Sequence, residues 1–238
     1  MNSNNKNDIN RNRFYSCNDM VRLSCKECAG CGQCCENMGD TVKIDPYDFF
    51  VISSFLRKSF DELFDKKIQV HREDNGLILP HVMQSEKDKC VFMDMNRRCS
   101  IHKYRPGICR LFPLGRNYER GTFSYFIVDG ACTKGYKSKV KISQWLGIEN
   151  ITQYEKFVSD WHYFIKEIAI IYNYVLNSGS NTDLDLYLLK VFYRMPYNVY
   201  NENDFYEEFY RRLNHVNQSL ESIKKMDPIK DMIDECYM

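Results

Sequence analysis

The chain has 238 residues, 44% of them hydrophobic and 27% charged, with a formal net charge of +1. This is ordinary globular composition, and no basic stripe argues for nucleic acid as a partner. Its eleven cysteines, an odd number, set it apart. In a reducing compartment such density points to metal ligands or redox groups rather than to structural disulfides.

The opening stretch MNSNNKNDINRNRFYS is polar and Asn-rich, and no apolar h-region marks it as a secretory signal. No apolar run approaches the roughly 18 residues of a membrane span. The expectation is a soluble, cytoplasmic protein with neither a membrane nor a nucleic-acid partner, and with residues 1–23 as a flexible N-terminus.

CKECAGCGQCC follows, placing Cys25, Cys28, Cys31, Cys34 and Cys35 within eleven residues. Two cysteines separated by two residues can direct both sulfurs at one ion. Zinc and iron accept four such thiolates in a tetrahedron, and iron–sulfur clusters use the same repeated spacing. The run starts like a bacterial ferredoxin pattern but departs from it, because Cys34 is followed at once by Cys35 and Glu36. In extended backbone, neighbouring side chains point to opposite sides. On that footing Cys34 and Cys35 are awkward partners on one ion and suit two centres, or one cluster and a nearby thiol. Buried free cysteines also pack as small apolar residues. That reading suits Cys17 or Cys236 singly but not five thiols flanked by Lys26, Glu27 and Gln33.

Asp45 followed by Pro46 reads as an N-cap and first helical position, with Phe49, Phe50, Ile52, Phe55 and Leu56 on the apolar face. Ser59 and Glu62 have capping-box spacing and announce a second helix. Residues 67–84 read as two strands about Asn75-Gly76, with Pro80 marking an edge or irregular strand. Cys90, Cys99 and Cys109 are too far apart for a local chelate and become ligands only if folding brings them to the first group. A metal joined to them would staple a loop-rich domain, so part of its binding energy would be folding energy. Residues 122–130 read as one more strand, with Cys132 directly after it.

Beyond residue 140 the apolar residues take helical steps. One stripe is Phe157, Trp161, Phe164, Ile168, Ile171 and Val175. Another is Phe205, Phe209, Leu213, Val216, Leu220 and Ile223. A shorter segment, LDLYLLKVFYRM, ends before Pro196. Such stripes are most simply core. The tyrosine-rich YNVYNENDFYEEFYRR can pack on the cysteine-bearing half or present a surface to a partner protein.

Three stretches carry a resemblance: CAGCGQCC at 28–35, CVFM at 90–93 and RRCSIHKYRPGICRLFPLG at 97–115. Together they resemble the YkgJ family, the CxxCxxCC zinc- or iron-chelating domain, which includes flagellin lysine N-methylase-like proteins. The likeness spans about residues 24–135. It implies metal ligation by Cys28, Cys31, Cys34, Cys35, Cys90, Cys99 and Cys109, with Cys132 at the position of the last cysteine; Cys25 is an addition to the pattern. It implies zinc or an iron–sulfur cluster, such as 4Fe–4S, as the cofactor. It also raises two alternatives to plain metal binding, a protein-lysine N-methyltransferase acting on a protein such as flagellin and an iron–sulfur redox protein. No Gly-rich strand-to-helix loop for a nucleotide is present. Arg105 and Arg110 flank Cys109 and either lower its thiol pKa or serve as ordinary ion-pair residues. A lone histidine such as His102 more often hydrogen-bonds than ligates, and Pro106 and Pro113 are expected to fix the loop that aims Cys109 inward.

The fold expected is α+β: a small cysteine-rich metal-binding domain of short strands and helices over residues 24–140, followed by a helical C-terminal region over 141–238.

Overall fold

The computed structural model describes residues 13–23, 30–85, 88–132, 138–177, 183–199 and 201–238. Its elements in chain order begin with strand β1 (Met20–Leu23), helices α1 (Pro46–Leu56) and α2 (Phe60–Leu63), and strands β2 (Ile68–Arg72) and β3 (Ile78–Val82). Next come the short helix α3 (Gly107–Leu111), strands β4 (Leu114–Glu119) and β5 (Thr122–Ile127), and strand β6 (Ser138–Lys141). The remainder is helical: α4 (Ile142–Leu146), α5 (Ile151–Asn177), α6 (Leu184–Leu189), α7 (Glu202–Ser219), α8 (Glu221–Lys224) and α9 (Asp227–Cys236). The architecture is α+β with a helical C-terminal region. Among the described residues no helix is long and apolar enough to cross a membrane.

The strands form three separate antiparallel pairs, β1 with β6, β2 with β3, and β4 with β5. An isolated pair cannot hold itself together in water, so each depends on what it packs against. Residues 13–23, placed in the flexible tail by their polarity, are instead pinned. Tyr15 exchanges backbone hydrogen bonds with Tyr125, at 2.9 and 2.8 Å, and β1 buries Val21 and Leu23 while exposing Met20 and Arg22. That is a period-two strand, but four residues are too few for the alternation to stand out in sequence.

The β2–β3 connection turns at Asn75-Gly76 as expected, but it is longer than a two-residue hairpin. Glu73 N–H donates to Leu77 O at 2.8 Å, and Asn75 Oδ1 accepts from Leu77 N–H at 3.1 Å. Leu77 is fully buried, so the loop contributes to the core instead of closing at its tip. Pro80 pairs with Val70. The open edge of β3 is covered by the preceding segment, with Ile44 N–H donating to Pro80 O and Val82 N–H to Val42 O, both at 2.9 Å.

The helix signals read from sequence are present. The Asp45 side chain accepts from Asp48 N–H at 2.8 Å and Asp48 returns a bond to Asp45 N–H. Ser59 and Glu62 form the second box, although α2 runs for only one turn. Phe55 is the exception on the α1 face. It is 44% exposed and stacks on Tyr104, with ring centroids 4.2 Å apart. The stripe read as one helix through Ile223 is broken after Ser219, whose Oγ donates back to His215 O at 2.9 Å; such back-bonding competes with the helical ladder and bends it.

One aromatic core joins the two halves of the chain. Tyr47 of α1 lies 5.5 Å from Tyr154 of α5 and stacks on Tyr206 of α7 at 5.7 Å, and Phe50 stacks on Phe205 at 4.9 Å. The helical stripes therefore pack on the cysteine-bearing half, and Tyr206 goes inward with them. After α6 the chain widens into a π turn, Lys190–Arg194, and Arg212 closes it. The Arg212 guanidinium is 4% exposed and donates to Val191 O, Met195 O and Pro196 O at 2.7–2.8 Å. Its Nε donates to Glu208 at 2.7 Å, and it lies 3.8 Å from the Tyr197 ring centroid. We predict that Arg212→Ala costs about 3 kcal/mol, because three carbonyls lose a charged donor at once. Urea denaturation checks this; a loss below about 1 kcal/mol would show that water replaces the guanidinium freely.

Candidate metal centre

The CxxCxxCC stretch ends in a tight turn. Gly32 holds φ 67°, a left-handed conformation that suits glycine, and a 3₁₀ turn, Gln33–Cys35, follows, closed by Cys35 N–H to Gly32 O at 3.0 Å. A Cβ on Gly32 would also crowd Met93 Sδ at 3.1 Å and Arg97 at 3.2 Å. The turn is tied to the second cysteine stretch at two points. Cys90 N–H donates to Cys35 O at 2.8 Å. Arg97 donates from Nε and Nη2 to Cys31 O at 3.1 and 2.8 Å, and from Nη2 to Glu36 Oε2 at 3.0 Å.

This conformation corrects the expectation for the adjacent pair. Successive side chains on a 3₁₀ turn are about 120° apart rather than on opposite sides. The extended backbone assumed for the pair is therefore absent.

Cys90, Cys99 and Cys109 lie near enough for their charges to reach one another and Cys34. Cys99 pairs in an isolated bridge with Met93, so 90–99 folds back as a loop that returns Cys99 to Met93. Cys109 arrives on α3. The charges of these thiols act on one another: Cys90, Cys99 and Cys34 push Cys109 up, on top of the larger effect of its burial. Burial likewise raises Cys90 and Cys99. Cys34 moves the other way, chiefly through the neighbouring Cys35 thiol and in smaller part through the Arg105 guanidinium; Cys35 is raised, chiefly by the Cys34 thiol and then by its own burial. Cys34 is the exposed member, and the other four are half-buried.

The two flanking arginines divide their work. Arg105 supplies positive charge toward Cys34, Cys99 and Cys109, and it hydrogen-bonds the His102 ring, which gives His102 a partner other than a metal. Arg110 is buried and donates to Arg105 O at 3.0 Å, to Lys103 O and to Leu146 O. It therefore braces the loop. The Cys109 thiol goes up rather than down, through its burial first and then the charges of Cys90, Asp48, Cys99 and Cys34.

The helix that carries Cys109 is fixed from below. Pro106 precedes it, and Gly107 N–H donates to Asp48 Oδ1 at 2.7 Å. A Cβ on Gly107 would lie 2.2 Å from the OH of Tyr154, a fully buried side chain. The Asp48–Gly107 pair escaped the sequence reading. Its signal was a charged residue, Asp48, within the apolar face of α1.

The remaining sequence candidates lie elsewhere. Cys31 keeps its thiol on Gln33 Oε1 at 3.5 Å. Cys132 follows β5 and, with Cys31, is not among the described thiols that act on one another at this site. Cys25 and Cys28 fall outside the described residues. Among the described residues no three Cys, His, Asp or Glu side chains are arranged to hold a metal ion. What fits a metal is the donor set: several thiols drawn from sequence positions up to 75 apart, gathered beside one guanidinium and partly screened from water. Burying uncompensated thiolates together is costly, and a soft divalent cation is the charge such a set suits.

Residues 27–132 match the model of the CxxCxxCC family, described as "Putative zinc- or iron-chelating domain", and the YkgJ-type resemblance fits that family. The uncharacterized protein MJ0661 of Methanocaldococcus jannaschii is 28% identical over 145 residues, covering 55% of this chain and 75% of that protein. No solved structure matches the chain.

Two predictions follow from the anchoring of α3. Gly107→Ala should destabilise the protein by about 1–3 kcal/mol through overpacking against Tyr154, whereas Ile108→Ala in the same helix, at a side chain 41% exposed, should be near neutral; thermal melts of the pair decide. The second concerns pH. Burial raises Asp45 to about 6 and Asp48 well above the usual carboxylate range. A carboxyl raised on folding contributes stability that is complete below its unfolded pKa and fades as pH rises through its folded one. Stability from the Asp45 term should therefore decline from about pH 4 to above pH 6, and Asp45→Asn, which keeps a capping oxygen, should flatten that slope in urea titrations.

Proposed function

We propose that the protein binds zinc or iron through cysteine thiolates, with Cys34, Cys35, Cys90, Cys99 and Cys109 as the set from which the ligands are drawn. What supports this is that thiols of the 3₁₀ turn, the 90–99 loop and α3 lie near enough for their charges to act on one another and on Arg105. Cys28 and Cys31 stay candidates on their spacing and Cys132 on the family pattern. Bound there, a metal would supply the positive charge that the clustered thiolates lack and would cross-link segments far apart in sequence. Arg105 would offset charge left over when four thiolates meet a divalent ion.

Within this reading, zinc and an iron–sulfur cluster are separated by content. Stoichiometric zinc without sulfide would mark a chelating or structural site, and iron with acid-labile sulfide would mark a cluster. Lysine methylation of a protein such as flagellin, and iron–sulfur redox chemistry, rest on the family resemblance alone, as does flagellin as a partner.

Two measurements test the proposal. Metal analysis of protein purified without oxygen should find zinc or iron, and Cys90→Ser, Cys99→Ser and Cys109→Ser should each lose most of it, while Cys236→Ser, at the far end of α9, should not. Folded, metal-free protein prepared with both metals supplied would sink the proposal. Because Cys90, Cys99 and Cys109 are raised, binding must displace their protons. Affinity in chelator competition should then climb with pH, by about tenfold per unit for each proton released.

A further inference from the structure

A second polar cluster lies on the β2–β3 hairpin, away from the thiols. His81 is 1% exposed. Its Nδ1 faces the backbone carbonyl of Asp40, and its Nε2 faces Glu73 Oε1 at 2.6 Å. A carbonyl oxygen can only accept, so Nδ1 carries a hydrogen. A carboxylate oxygen and a bare imidazole nitrogen both accept, and two acceptors do not sit 2.6 Å apart without a proton between them. The His81–Glu73 line therefore holds one proton more than a neutral histidine beside an ionised glutamate.

From this we infer that His81 and Glu73 share a titratable proton that fastens residues 38–43 to β3, as a pH-sensitive clasp. The segment it fastens connects the cysteine turn to α1. It runs along β3 through the backbone bonds of Val42 and Ile44 described above. The amide of Gln84, turned so that its oxygen accepts from Met38 and Gly39 N–H at 2.7 and 2.9 Å, holds the near end. His81 is the side chain that grips the middle.

The charged and titratable neighbours are few. Lys43, on the clasped segment, pairs with the other Glu73 oxygen. The His71 ring lies 5.1 Å from that of His81, and His71 Nδ1 is 3.9 Å from the Asp40 carboxylate. Burial favours a neutral His81, whereas Glu73 and the Asp40 carbonyl favour its charged form. These forces decide which heavy atom the shared proton sits nearer. They leave unchanged the requirement that one be present. When it leaves, the lone pair of Nε2 faces a carboxylate in a dry site, and the clasp loses its central bond.

The test uses the full chain labelled with ¹⁵N. Correlations to the His81 ring should show hydrogen at Nδ1 and a hydrogen-bonded proton on the Glu73 side, lost in one step as pH is raised. Across that step, hydrogen-exchange protection at Met38, Gly39 and Val82, corrected for intrinsic exchange, should fall about tenfold. Glu73→Gln offers a permanent N–H to a neutral imidazole and should abolish the step. Lys43→Met removes a cation that favours ionised Glu73 and should move the step to higher pH; it keeps the test available should Glu73→Gln not fold. Identical pH profiles in wild type and Glu73→Gln, or in wild type and Lys43→Met, would overturn the inference. So would an ordinary neutral His81 with nothing between Nε2 and Glu73 while the segment stays protected.

Discussion

The buried carboxylate of Asp48 is the constraint on which the rest depends. One oxygen closes the capping box of α1 and the other accepts Gly107 N–H, so a single side chain starts one helix and seats another. Helix α1 carries Tyr47, Phe49 and Phe50 into the aromatic core shared with α5 and α7. Helix α3 carries Cys109. The position of that thiol is thus tied to the packing of the helical half, and the absence of a side chain at Gly107 allows Tyr154 to come close enough to complete the joint. Holding a carboxyl in such a place is costly unless it is bonded or neutral; both Asp48 oxygens accept backbone N–H groups, and burial pushes its pKa well up.

The thiol site is assembled by backbone geometry more than by the spacing of its cysteines. The turn at Gly32 sets the backbone of Cys34 and Cys35. The Cys90–Cys35 backbone bond lays the second stretch alongside, and the Arg97 bonds to Cys31 O hold the returning loop. Each contact orders a segment with little hydrophobic surface of its own. A cation bound among the thiols would add a cross-link where burial is weakest, which is the usual reason small loop-rich units recruit metals.

Much of this was legible from residue order. The caps at Asp45 and Ser59, the turn at Asn75-Gly76 and the long stripes of α5 and α7 all rest on local rules, and local rules can be read locally. The pairing of β1 with β6 could not be read, since it joins residues more than a hundred positions apart through strands of four residues. The backbone of Cys34 and Cys35 could not be read for a related reason. The opposite-side reading assumed extended backbone, and the conformation is set by Gly32 and by the loop that packs on it.

By itself, then, the sequence determined the chemistry: which donors the chain owns, that they lie in its first 132 residues apart from Cys236, and that helices follow. Side-chain type and short-range periodicity suffice for that. Only the tertiary structure decided which backbone the adjacent pair adopts, that Arg105 rather than Arg110 turns its charge on the thiols, and that His81 is buried between Asp40 O and Glu73. Those outcomes depend on distances between residues remote in the chain, and such distances are fixed by the packing of a common core.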